Sequence, residues 1–109
     1  MSIKPDYFLS FYVPVTDCDF VKKSVFAAGA GRIGNYEHCS FETRGIGQFK
    51  PIGLANPTIG EVDQLSEVEE AKVDMVCSAK HIADAVQALK NAHPYEEPAY
   101  HVIKLETQF

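Results

Sequence analysis

The chain has 109 residues, a formal charge of −5, 46% apolar residues and 23% charged ones. That length fits one domain, residues 1–109, burying roughly two-thirds of its unfolded surface in a single core. The negative balance and the lack of a Lys/Arg cluster argue against a nucleic-acid partner, and no apolar run reaches membrane-spanning length.

The amino-terminal stretch Met1-Ser2-Ile3-Lys4-Pro5-Asp6 lacks the apolar core of a signal peptide. The three cysteines, Cys18, Cys39 and Cys77, are odd in number and widely spaced, as reduced thiols would be. Both features point to a cytoplasmic protein.

Asp6 to Val15 reads as a strand, with Leu9, Phe11 and Val13 facing helices. Thr16 and Asp17 offer caps for a helix from about Asp17 to Ala28. Its stripe is Val21, Val25 and Ala28, with Phe20 and Ala27 beside it and Lys22 and Lys23 outward. Gly29 is placed to end it.

The run Gly29-Ala30-Gly31-Arg32-Ile33-Gly34 has the spacing of a dinucleotide fingerprint. That reading fails on context, because the fingerprint needs a strand before it and a helix after it. A flexible turn, or an anion-holding loop of exposed glycine amides with Arg32, Asn35 and Tyr36, remains.

Tyr36 to Arg44 and Ile46 to Ile52 are expected to form two strands of a hairpin that turns at Gly45. His38 and Cys39 would then point to opposite faces. Gly53 to Gly60 is a loop long enough to be functional. Val68 to Ser78 reads as a strand, with the acidic Gln64–Glu70 stretch before it.

Ser78 to Ala92 reads as a helix with Ser78 as its cap and Ile82, Val86 and Leu89 as its stripe, Ala85 adjacent. Ala99 to Leu105 is the last strand. Between them lies His93-Pro94-Tyr95-Glu96-Glu97-Pro98, where two prolines stiffen a segment holding an imidazole, a phenol and two carboxylates.

The order predicts an α+β fold of the ferredoxin-like split β-α-β type, an antiparallel sheet with two helices on one face. Tyr7, Tyr12, Tyr36, Tyr100 and Val102 are expected to make the other face apolar, which a partner subunit would bury.

Four motifs occur in order: Gly-Ala-Gly-Arg-Ile-Gly-Asn-Tyr-Glu-His-Cys-Ser-Phe (29–41), Gly-Gln-Phe-Lys-Pro (47–51), Ala-Asn-Pro-Thr-Ile-Gly (55–60) and His-Pro-Tyr-Glu-Glu-Pro-Ala-Tyr (93–100). With them the chain closely resembles the insert domain of the YqfO family of dinuclear-metal, GTP-cyclohydrolase type-2-like proteins, a domain similar to trimeric CutA and more distantly to PII proteins. The resemblance covers about Tyr7 to Leu105. It implies a CutA/PII-like fold, a homotrimer, and a regulatory or small-molecule-binding role.

The flanking halves that supply the family's two-metal site have no counterpart here. The chain reads as the insert domain alone, and the family's hydrolytic activity is not expected of it. No nucleophile–base–orienter set can be defended from spacing.

The candidate ligand-binding residues are Arg32, Asn35, Tyr36, His38, His93, Tyr95, Glu96 and Glu97. For His93, Glu96 and Glu97 a divalent metal is a second candidate, because imidazole and carboxylates are good ligands; a turn-forming structural role is a third. Partners are expected to be a second copy of the chain, a small molecule or a protein, including a separately encoded catalytic subunit.

Overall fold

A computed structural model describes residues 5–109; residues 1–4, part of the amino-terminal stretch read above, lie outside it. The elements run β1 (Tyr7–Pro14), a 3-10 turn (Val15–Asp17), α1 (Cys18–Ala27), β2 (Phe41–Phe49), β3 (Ser66–Cys77), α2 (Ile82–Ala92) and β4 (Tyr100–Lys104). The sheet order is β2-β3-β1-β4, with every neighbouring pair antiparallel. This is the expected ferredoxin-like arrangement.

Register decides the faces. Leu9 pairs with Met75 and Phe11 with Val73, so the buried odd-numbered positions of β1 and β3 share one side. Val21 and Val25 of α1 and Ala85 and Leu89 of α2 close over them. These side chains are between 0% and 4% exposed, which makes this layer the core.

Helix α1 ends in a Schellman motif. Gly29 takes φ 109°, its N–H donates to Phe26 O at 2.9 Å, and Ala30 N–H donates to Val25 O at 3.4 Å. Only a residue without a Cβ adopts that φ freely. The glycine run thus follows a helix and precedes a strand, as its sequence context demanded.

Other expectations are corrected. The Gly45 hairpin does not form; β2 is one strand paired with β3 from Phe41↔Asp74 to Phe49↔Ser66, and Gly45 faces Glu70 within it. The glycine marked a turn only because no pairing partner was visible in the sequence. The reversal falls instead in the loop between Phe49 and Ser66. Residues 36–40 are not strand; the chain turns at Gly34-Asn35, where Ile33 and Tyr36 exchange backbone hydrogen bonds of 2.9 Å.

Neither Asp17 nor Ser78 caps a helix by its side chain. Ser78 lies one turn before α2 and bonds His81 Nδ1 through its hydroxyl at 2.9 Å. Lys22 does not face out: its ammonium is paired with Glu42 of β2, tying α1 to an edge strand.

The helix-free face also differs. Tyr100 pairs with Phe11 and Val102 with Leu9, so both lie on the helix side, as does Tyr7. Tyr36 is exposed in its turn. The face instead carries Phe8, Tyr12, Val76, Phe41 and Ile103 around a polar strip in which Ser10 Oγ donates to Asp74 Oδ1 at 2.8 Å. Phe41 and Ile103 are 70% and 55% exposed.

Two substitutions separate core from strand surface. Leu9→Ala should lower the unfolding free energy by about 2–5 kcal/mol in denaturant titration, through a cavity in the closed layer. Gly45→Ala should leave stability unchanged or raise it by up to about 1 kcal/mol, because no heavy atom lies within 4 Å of the added Cβ and φ is not positive. A marked loss of melting temperature for Gly45→Ala would mean that a turn is present there.

Candidate functional site

Strand β1 outlasts β4 by three residues: Phe11 is the last pair, and Tyr12 N–H then donates to Ala99 O at 3.1 Å. The carboxyl end of β1 is therefore left for the segment leaving α2. His93 ends that helix in extended backbone (φ −66°, ψ 138°), as Pro94 requires of the residue before it.

The His93 imidazole is 7% exposed and has two backbone partners. Tyr95 N–H donates to Nδ1 at 3.1 Å, so the opposite nitrogen carries the proton and Nε2–H donates to Tyr12 O at 2.6 Å. Burial lowers its pKa below the ordinary 6.5, against the opposing pull of the Tyr12 carbonyl. The neutral ring is thus a strut between helix end, sheet and turn.

That strut aims Tyr95 across the helix-free side, its ring 5.8 Å from that of Phe49. The loop after Phe49 is pinned to the same segment. Asn56 N–H donates to Glu96 Oε1 at 2.9 Å, and Thr58 Oγ1 donates to Pro94 O at 2.7 Å.

Between the two loops and the sheet lies a cavity of about 560 Å³. Phe49, Pro51, Ile52, Ala55, Pro57 and Ile59 line its loop side, and Tyr12, Gly47 and Glu70 its sheet side. Tyr95, Glu96, Glu97 and Ala99 also line it, as do Gln48, Lys50 and Thr58. The volume is that of a small-molecule site, and the lining is mostly apolar with few polar groups, as such sites are.

The polar groups are unevenly satisfied. Tyr95 Oη is buried and has no hydrogen-bond partner. Burial, reinforced by the nearby Glu70 carboxylate, pushes its phenol up to about 12. Glu70 itself lies across Gly47, where any Cβ would collide with its carboxylate.

The sequence candidates therefore divide. Tyr95, Glu96 and Glu97 line the large cavity and His93 supports it. Arg32 and His38 border a separate cavity of about 340 Å³ with Phe26, Glu37 and His81, at the end of α1. There Arg32 meets Glu37 at 3.8 Å and His38 stacks on Phe26 at 4.9 Å. Asn35 and Tyr36 line neither cavity.

Among the described residues no three His, Cys, Asp or Glu side chains are grouped to hold a metal. The thiols of Cys18 and Cys77 are both held near 11 by burial, so they stay protonated at neutral pH.

Sequence reading missed Tyr12, Phe49 and Glu70. A signal existed for Glu70, since it alternates with the core residue Ala71 and so must sit on the helix-free side.

The His93 strut makes stability depend on pH in a definite direction. Its folded pKa is depressed, so the unfolded chain binds the extra proton first, and stability is lost as pH falls below about 6.5. Denaturant midpoints between pH 8 and pH 5 should show this slope in the wild type. His93→Gln should lower the plateau and flatten the slope; an unchanged slope would exclude His93 as its source.

No protein-family model matches the chain. Proteins named GTP cyclohydrolase 1 type 2 homolog are 45% identical to it over 101 residues in Listeria innocua and 39% over 100 residues in Staphylococcus aureus. Each alignment covers 92% of this chain and 27% of the relative, so the chain spans about a quarter of the length of these proteins. A Bacillus cereus protein related to NIF3 superposes with a TM-score of 0.77 at 36% identity, over 98% of this chain and 28% of its own. CutA from Xylella fastidiosa gives 0.68 at 12% identity over 97% of this chain and 88% of its own, a likeness of fold. No helix among the described residues is long and apolar enough to cross a membrane. Over nearly its whole length the chain is thus similar to a quarter-length segment of the GTP cyclohydrolase 1 type 2 homologs and of the NIF3-related protein, and its fold is like that of CutA.

Proposed function

We propose that this chain is a non-catalytic module that binds a small molecule in the cavity between the two loops and works as a homotrimer. The observation that carries the first part is the cavity itself. It is of ligand size, mostly apolar, and bordered by loops that are fastened to each other by side-chain hydrogen bonds. A buried phenol without a partner beside it is the polar imperfection that a bound ligand would relieve.

Self-association is supported by the apolar side chains on the helix-free face and by the CutA fold, with which the expectation of a trimer entered. Packing Phe8, Phe41, Val76 and Ile103 against a second copy removes apolar area from water. The same face carries the cavity, so a subunit contact there would wall it further.

Native mass spectrometry of protein taken from its host tests both parts. The expected spectrum shows three copies of the chain and a retained small-molecule mass. Ala55→Trp, which fills the cavity from a half-buried loop position, should lose that mass and keep the fold by circular dichroism. An identical adduct on Ala55→Trp, or a bare chain that takes up no small aromatic compound at millimolar concentration, would remove the binding reading. A monomer by light scattering at micromolar concentration would remove the trimer.

A further inference from the structure

The cavity has a chemical preference, which rests on the binding reading above and goes beyond it. Its walls include rings and aliphatic groups: Phe49 and Tyr95 sit 5.8 Å apart at 56°, and Pro51 and Pro57 also line it. Such walls accept a flat ring rather than a branched or extended chain. Its charges are three carboxylates, Glu70, Glu96 and Glu97, against one ammonium, Lys50. Glu96 is engaged by Asn56 N–H, whereas Glu70 lies on the sheet floor beside the Tyr95 phenol and across the bare backbone of Gly47.

We propose that the cavity selects a small planar ring carrying a cationic or N–H-rich edge, such as an amidine or amino-heterocycle, with the Glu70 carboxylate as its acceptor and Tyr95 as a positioning residue. Two N–H groups on one edge match the two oxygens of a carboxylate, and this pairing is both directional and stronger than a neutral hydrogen bond. The ring itself would lie against Phe49, where the apolar lining removes its faces from water.

The orphan phenol fits the same scheme. Burial beside the Glu70 carboxylate keeps it protonated at neutral pH, so it is a donor that makes no well-formed hydrogen bond and whose nearby acceptor is Glu70. A ligand edge that fixes the Glu70 carboxylate would hold one of its lone pairs toward the neighbouring Tyr95 phenol. An anionic ligand would instead meet three carboxylates, and a neutral hydrocarbon would leave the Glu70 carboxylate without a cationic partner.

Three probes of one ring size test this by chemical-shift titration of the intact protein: benzamidine, benzyl alcohol and benzoate. Benzamidine should bind about tenfold tighter than benzyl alcohol, with benzoate the weakest. Glu70→Gln should reduce benzamidine to the affinity of benzyl alcohol. Tyr95→Phe should weaken benzamidine several-fold while leaving benzyl alcohol unchanged, which a loss of packing alone would not do. Benzyl alcohol or benzoate binding as well as benzamidine, or Glu70→Gln leaving the ratio intact, would overturn the preference and leave the cavity as a binding site. Resonances of Phe49 and Tyr95 unmoved by all three probes would overturn both.

Discussion

One buried imidazole organises the functional end of this molecule. Burial disfavours a charge on His93, and as a neutral ring it can offer one donor and one acceptor. The fold uses each once, for Tyr12 O and for Tyr95 N–H. Because Tyr12 belongs to a central strand and Tyr95 to a turn, the ring fixes where α2 must end and where the next residues must travel. Pro94 makes that path stiff, since it admits neither helix nor a backbone donor.

The remaining features of the site follow from that path. Tyr95 is delivered to the helix-free side next to Phe49, and Pro94 O and Glu96 are presented to the loop beyond β2. The loop has few buried contacts of its own: Leu54 and Ile52 are largely exposed, and Pro51 is its one buried residue. Its position is therefore set by two hydrogen bonds and the cavity lining, a combination of low local stability from which ligand-responsive loops are commonly drawn. At the other end of α1, Phe26, His38 and Arg32 form a smaller polar cavity whose charges are already matched by Glu37.

The sheet divides labour in the same way. Strands β1 and β3 are central and bury one face under two helices. Strand β2 is an edge that shows Phe41 and Ile46 to solvent, and it is held to α1 by the Lys22–Glu42 pair. That pair is partly shielded, so the Glu42 carboxylate titrates below its usual range while Lys22 is raised, Lys22–Glu42 hydrogen bonding being the main cause of both. An edge strand with exposed apolar groups and no blocking proline is a surface built for a partner rather than for isolation.

The sequence by itself determined the fold class, the helix stripes, the buried face of β1 and the stop after α2. Each is a local matter of period, capping geometry or proline stereochemistry, legible in neighbouring residues such as Leu9, Phe11 and Val13 or Val21 and Val25. It also marked the 93–98 segment and the 53–60 loop as unusual, though not as neighbours. Only the tertiary structure decided that β2 runs straight through Gly45, that Tyr100 and Val102 face the helices, and that Tyr95 meets Phe49 and Glu70. Those outcomes depend on strand register and on which residues lie opposite one another across long gaps in the chain. A one-residue shift in register exchanges the two faces of a strand, so no local pattern in residues 36–52 or 99–105 could settle them.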